Sequence, residues 1–281
     1  MSYLIRVDGL KNKLQNKHDD RVVIVDVRFD LSDPNAGRAA YEQGHITGAV
    51  YLDLNKDLSG QVQKHGGKHP LPDVDTFAEK IGNCGIDQKT TVIVYDQNND
   101  MFAARLWWLL EYMGHEKTYL LDGGFDRWVE QGNKVETSIP IVEKRHFKPN
   151  VKNDRVVSIE RIRENLQSKE AILIDSRAKE RYLGKVEPLY SKAGHIPGAK
   201  NFFWKDVLRE DGSWKTKEEL NDRFAGLSKD AEIIVSCGSG VSACPNIFAL
   251  KRAGFNRVKL YPGSFSDWIS YDENKIETKE E

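Results

Sequence analysis

The chain has 281 residues, 39% of them hydrophobic and 10% aromatic, enough to bury the core of one large domain or two ordinary ones. Its 42 basic and 43 acidic side chains leave a formal charge of −1, so there is no basic surplus to offer nucleic acid or another polyanion. No apolar run is long enough to span a bilayer, and residues 1–14 lack the basic-then-apolar pattern of a secretory signal; the expectation is a cytoplasmic protein with no membrane partner. Three cysteines, Cys84, Cys237 and Cys244, are too few for a disulfide framework and fit a reducing compartment.

Along the chain, short β-branched runs alternate with helix-like stretches. Residues 22–27 read as a strand, 76–81 as a helix, 92–95 as a strand and 103–113 as a helix, the alternation of a parallel α/β sheet. Residues 138–154 are strand-poor, contain proline and read as a linker expected to wrap one domain against the other. Further on, the apolar run Ile233-Ile234-Val235-Ser236 ends at Cys237, and the glycine-bearing loop Gly238-Ser239-Gly240-Val241-Ser242-Ala243 leads into another helical stretch.

Three blocks recur in the same order in both halves, and such repeats govern the reading of the whole fold. Val25-Asp26-Val27-Arg28 returns as Ile174-Asp175-Ser176-Arg177, and Gly44-His45-Ile46-Thr47-Gly48-Ala49 returns as Gly194-His195-Ile196-Pro197-Gly198-Ala199. The third block pairs Thr91 to Asp96 and Leu120 to Trp128 with Glu232 to Cys237 and Leu260 to Trp268. The organisation expected is an N-terminal domain over 1–140, a linker over 141–154 and a C-terminal domain over 155–281. Features shared by both halves should serve the fold, so the Asp26/Arg28 and Asp175/Arg177 pairs read as structural, as do His45 and His195. The asymmetry falls at Asp96, which faces Cys237 in the repeat and is followed by the glycine-free Gln97-Asn98-Asn99-Asp100. The N-terminal domain is therefore expected to be catalytically inactive.

A short glycine-bearing turn between strand and helix lets backbone N–H groups converge on one point, and the helix N-terminus adds donors and a positive dipole end. An anion belongs there, and the Cys237 sulfur as thiolate is a nucleophile. Cysteine phosphatases need Arg at the sixth position after the cysteine to clamp phosphate; that position is Ala243. Cys244 reads as core packing, with a resolving thiol as the alternative.

The loop Cys237 to Ala243 and the ordered duplicated blocks closely resemble the two-domain rhodanese family of sulfurtransferases, with an inactive domain followed by an active one. The resemblance implies tandem α/β domains, each a mostly parallel sheet flanked by helices, and transfer of sulfur through a cysteine persulfide without a cofactor or metal. Thiosulfate-preferring members place Arg and Lys after the cysteine, where this chain has Gly238 and Ser239. A neutral loop suits a carboxylate-bearing donor, 3-mercaptopyruvate, better than a compact dianion.

By motif, Arg181 matches the family's substrate-binding arginine, Ser239 its proton-transferring serine and His69 the histidine that partners the serine. The acid position falls at Asn55, flanked by Asp53 and Asp57. The second arginine of mercaptopyruvate-using members is replaced by Leu189, leaving Lys185 or Lys192 to supply the charge, while Arg181-Tyr182-Leu183-Gly184 looks more like the thiosulfate-preferring branch. The backbones of Gly238, Gly240, Val241 and Ser242 are expected to hold the persulfide. The partners implied are a small-molecule donor and a thiol, thioredoxin-like or cyanide acceptor. Thiosulfate:cyanide transfer and a non-catalytic sulfur-relay module are the competing readings. His65 and His69 do not read as a metal pair, because Gly66 and Gly67 lie between them.

Overall fold

The structure is a computed structural model that describes residues 3–15, 21–99 and 101–279. Asp100, the last residue of the loop that follows Asp96, lies outside them. The chain forms two compact units, one of residues 1–60, 72–152 and 208–214 and one of 61–71, 153–207 and 215–281. Two short segments thus belong to the unit from the other half of the sequence.

In the first unit the order is β1 (Leu4–Ile5), α1 (Val7–Gln15), β2 (Val22–Asp26), α2 (Ala36–Gln43), β3 (His45–Ile46), β4 (Val50–Tyr51), α3 (Val74–Asn83), β5 (Thr91–Tyr95), α4 (Met101–Tyr112), β6 (Thr118–Leu121), α5 (Gly124–Glu130) and β7 (Val135–Glu136). Its main sheet is ordered β1-β6-β5-β2-β4 with every pairing parallel, and β3 pairs antiparallel with β7. The second unit runs α6 (Ile159–Ser168), β8 (Ala171–Asp175), α7 (Lys179–Tyr182), β9 (Lys200–Asn201), α8 (Lys217–Arg223), β10 (Glu232–Ser236), α9 (Ala243–Arg252), β11 (Val258–Leu260) and α10 (Ser264–Trp268). Its sheet, ordered β11-β10-β8-β9, is also parallel.

The middle strands explain why these sheets form. Val92, Ile93 and Val94 in β5, and Ile233, Ile234 and Val235 in β10, are fully buried, the pattern of strands covered on both faces by helices. Helix starts are set locally: Asp73 accepts from the Thr76 N–H at 2.9 Å at the head of α3, and Thr216 with Glu219 forms a capping box on α8. Residues 138–152 carry no regular structure and lie along the first unit, where Arg145 N–H donates to Gly82 O and Asn150 N–H to Met113 O. No helix among the described residues is long and apolar enough to cross a membrane.

The repeated motifs occupy equivalent places. Asp26 and Asp175 each bind their arginine, Arg28 or Arg177, at 2.7 and 2.6 Å in buried ion pairs. Each arginine also donates at 2.6 Å to the carbonyl of the glycine before the repeated histidine, Gly44 or Gly194. His45 stacks on Tyr41 and His195 on Tyr182, with each Nδ1 donating to the same tyrosine's carbonyl at 2.7 Å. These histidines are buried fold elements.

Candidate active site

The second-unit loop between β10 and α9 carries Cys237, which is 1% exposed. The Gly240 N–H donates to its Sγ at 3.1 Å, so the loop directs at least one backbone donor at the sulfur. Gly240 has φ +79°, and a Cβ there would lie 2.4 Å from Pro262 O; only glycine permits this turn. Val241 and Ser242 complete the loop, Ser242 standing immediately before α9. Cys244, the second residue of α9, is fully buried and donates from its own sulfur to Gly240 O at 3.4 Å, which braces the loop from behind. Cys84 lies in the first unit at the end of α3, where burial, helped by the charge of Asp57, pushes its thiol up to about 12 and suppresses its thiolate.

His69 and Ser239 meet: Nδ1 and Oγ are 2.7 Å apart in a hydrogen bond. The meeting depends on the segment 61–71, which packs in the second unit. Gly66 N–H donates to Asp267 Oδ1 at 2.7 Å, Lys68 N–H to Ser266 Oγ at 3.1 Å, and His65 hydrogen-bonds Ser270 Oγ at 2.7 Å while stacking on Tyr271. Of the acid candidates, Asp53 accepts from the N–H groups of Asn55 and Lys56, while Asp57 accepts from Asp53 N–H and pairs with Lys80 at 2.9 Å. Both carboxylates therefore hold their own loop in shape.

Arg181, in the short α7, forms a two-point ion pair with Glu187, Nη2 to Oε1 at 2.7 Å and Nε to Oε2 at 3.2 Å. Glu187 also meets Arg177 at 3.2 Å, and Arg177 is paired with Asp175. Two guanidiniums and two carboxylates cancel, so Arg181 stands beside the site with its charge already answered. Lys192 points to Asp272 at 3.1 Å, and Lys185 is exposed.

Three residues that sequence reasoning passed over belong to this neighbourhood. Lys68 donates from Nζ to Leu189 O at 3.0 Å and lies 4.9 Å from the centre of the Tyr190 ring. Among the described residues it makes no ion pair with an acidic side chain, and its place next to His69 was the available signal. Tyr190 directly follows the exposed Leu189. Ser264 is fully buried with φ +52°, unusual for a residue with a side chain. It accepts from Cys237 N–H at 3.1 Å and gives its one proton to Tyr261 O at 2.8 Å, with the Cys237 sulfur a longer alternative at 3.9 Å. The repeat carried the clue: Ser264 faces Gly124, which has φ +57°.

A strand, a loop and a helix are built twice, and in the second copy they surround a buried cysteine whose sulfur receives a backbone N–H, an α/β arrangement suited to sulfur chemistry. The model of the Rhodanese-like domain matches residues 8–131 and 158–271, so the chain belongs to the rhodanese family and is a sulfurtransferase with two copies of the domain. It is 38% identical to "Probable 3-mercaptopyruvate sulfurtransferase" of Pseudomonas aeruginosa, over 92% of each chain. It is 33% identical to "Thiosulfate sulfurtransferase" of Rattus norvegicus, over 88% of this chain and 84% of the relative. The crystal structure of SseA from Escherichia coli, described as showing the "Rhodanese" fold and catalytic mechanism of 3-mercaptopyruvate sulfotransferases, superposes with a TM-score of 0.83 at 33% identity. That match covers 95% of this chain and all of the other.

Proposed function

We propose that the enzyme moves sulfur from 3-mercaptopyruvate through a persulfide on Cys237 to a thiol, thioredoxin-like protein or cyanide acceptor in the cytoplasm. Residues 155–281 supply the reacting cysteine, and residues 1–140, joined to them by 141–154, form a partner domain that has no reacting cysteine and contributes His69. The Cys237 thiolate attacks the donor's sulfur, the S–S bond forms as the C–S bond breaks, and the bond pair leaves on carbon as the enolate of pyruvate, which takes up a proton. The persulfide anion is received by the N–H donors of the loop from Gly238 to Ser242, and Arg181 orients the donor's carboxylate by exchanging Glu187 for it. Ser239, joined to His69, passes the proton to the leaving enolate.

The observation that supports the mercaptopyruvate reading most is the loop itself: Gly240 N–H reaches the sulfur while neither Gly238 nor Ser239 carries the charge that a dianion would call for. The relatives named above carry both donor names, so the donors must be compared directly. We expect kcat/KM with 3-mercaptopyruvate to exceed that with thiosulfate; a clear thiosulfate preference overturns the donor assignment.

A further inference from the structure

Tyr190 is partly buried, and the hydroxyl end of its ring meets the active-site loop at Gly238. A Cβ built on Gly238 would stand 2.6 Å from its hydroxyl oxygen and 3.3 Å from two ring carbons, so the absence of a side chain at 238 and the presence of this ring are one arrangement. The ring is held on its other sides by Phe265, with ring centres 6.1 Å apart in an edge contact, and by two cations, Lys68 at 4.9 Å and Arg181 at 5.4 Å from its centre. Tyr190 also bounds a cavity of about 350 Å³ together with Gly67, Lys68 and Ser266. Tyr190 thus both lines an open cavity and meets Gly238, the residue that follows Cys237.

We propose that Tyr190 sets the donor specificity of the site: its phenol covers Gly238, excludes a side chain or cation there, and offers a neutral hydrogen-bond donor to the carbonyl or carboxylate oxygen of a keto-acid sulfur donor. The proposal rests on the keto-acid reading above. Chemistry fits the placement. A phenol can give one directional hydrogen bond to an sp² oxygen but adds no charge, whereas a dianion without such a carbonyl gains most from a full positive charge at the same point. The hydroxyl also stays protonated. Burial first, and then the charge of the Cys237 sulfur, push its pKa up to about 12, against the opposing influence of Arg181 and the Ser239 side chain.

The test is Tyr190→Phe, which keeps the ring beside Gly238 and removes only the hydroxyl. With one neutral hydrogen bond lost, kcat/KM for 3-mercaptopyruvate should fall about five- to tenfold while that for thiosulfate changes less than about twofold. Sulfur loading of Cys237 by each donor, followed by intact mass, should show the same selectivity without an acceptor. Equal effects on both donors, or on neither, overturn the assignment. A wild-type enzyme that prefers thiosulfate overturns the keto-acid reading instead, and the change in donor ratio still decides on Tyr190. As a second variant, Gly238→Ala should lower use of both donors by crowding Tyr190, and adding Tyr190→Phe should restore part of it. No restoration in the double variant contradicts the packing on which the proposal stands.

Discussion

The loop after β5 and the loop after β10 are the same device with different occupants. In the first unit Phe125 N–H donates to Asp96 O at 2.9 Å and Asp126 N–H to Gln97 O at 2.9 Å; in the second Phe265 N–H donates to Cys237 O at 3.0 Å and Ser266 N–H to Gly238 O at 2.9 Å. These two hydrogen bonds agree in length to within a tenth of an ångström between the two loops. What differs is what sits in it. The Asp96 carboxylate is 1% exposed and accepts from Ala103 N–H, inside the first turn of α4, at 2.8 Å, so the first unit fills its anion site with its own side chain. The second places the Cys237 sulfur there, which on the proposed mechanism takes up a second sulfur atom and passes that atom on. Gly124 against Ser264 is the second difference: one backbone conformation, with a hydroxyl added only where it bears on the nucleophile.

The largest expected effect follows from the occupant. Cys237→Ser should abolish transfer, because a serine oxygen forms no persulfide, and a Cys237→Ser/Asp96→Cys double variant should stay inactive because residues 97–99 supply no glycine to turn N–H groups inward. Turnover by either variant would mean that the two cradles are not as different as their loops. Next comes Gly240→Ala, in which a methyl meets Pro262 O and adopts a left-handed backbone; destabilisation of about 2–3 kcal/mol in denaturant unfolding is expected, together with loss of transfer. A variant as stable as wild type would remove close packing as the reason for that glycine.

Arg181→Ala should raise KM for carboxylate donors about tenfold, the scale of one charge-assisted hydrogen bond, with kcat less affected. Unchanged kinetics would leave Arg181 as Glu187's partner and nothing more. The smallest effect sharpens the comparison at Ser264. Both Ser264→Ala and Ser264→Gly remove the hydroxyl from Cys237 N–H, but only glycine also relieves the left-handed strain. The glycine variant should therefore be the more stable of the two by about 1 kcal/mol in thermal or denaturant unfolding, with similar losses in turnover. Equal stability would show that the strain at φ +52° is taken up elsewhere.

Much of this was legible in the sequence because repetition separates fold from chemistry. The strand expected over 92–95 is Thr91–Tyr95 and the helix over 103–113 is Met101–Tyr112, since β-branched runs and a long apolar helix are decided by local pattern. Cys237 with its loop, and the contact of His69 with Ser239, could be read from motif order. Other features could not be seen because they depend on distant packing. Glu187 neutralises Arg181 only because the turn from β8 into α7 brings Arg177 and Arg181 to one carboxylate, and Lys68 matters only because residues 61–71 lie in the second unit. Ser264 was visible as an asymmetry, but its bearing on Cys237 needs the left-handed turn at the head of α10.

On the proposed mechanism one of two equivalent cradles carries sulfur. Intact-protein and peptide mass measurement after brief incubation with 3-mercaptopyruvate tests it most directly. A gain of one sulfur atom on Cys237, its loss on adding a thiol acceptor, and no gain in Cys237→Ser are expected. A gain on Cys84 or Cys244 instead, or no gain by the folded wild-type protein, would contradict it.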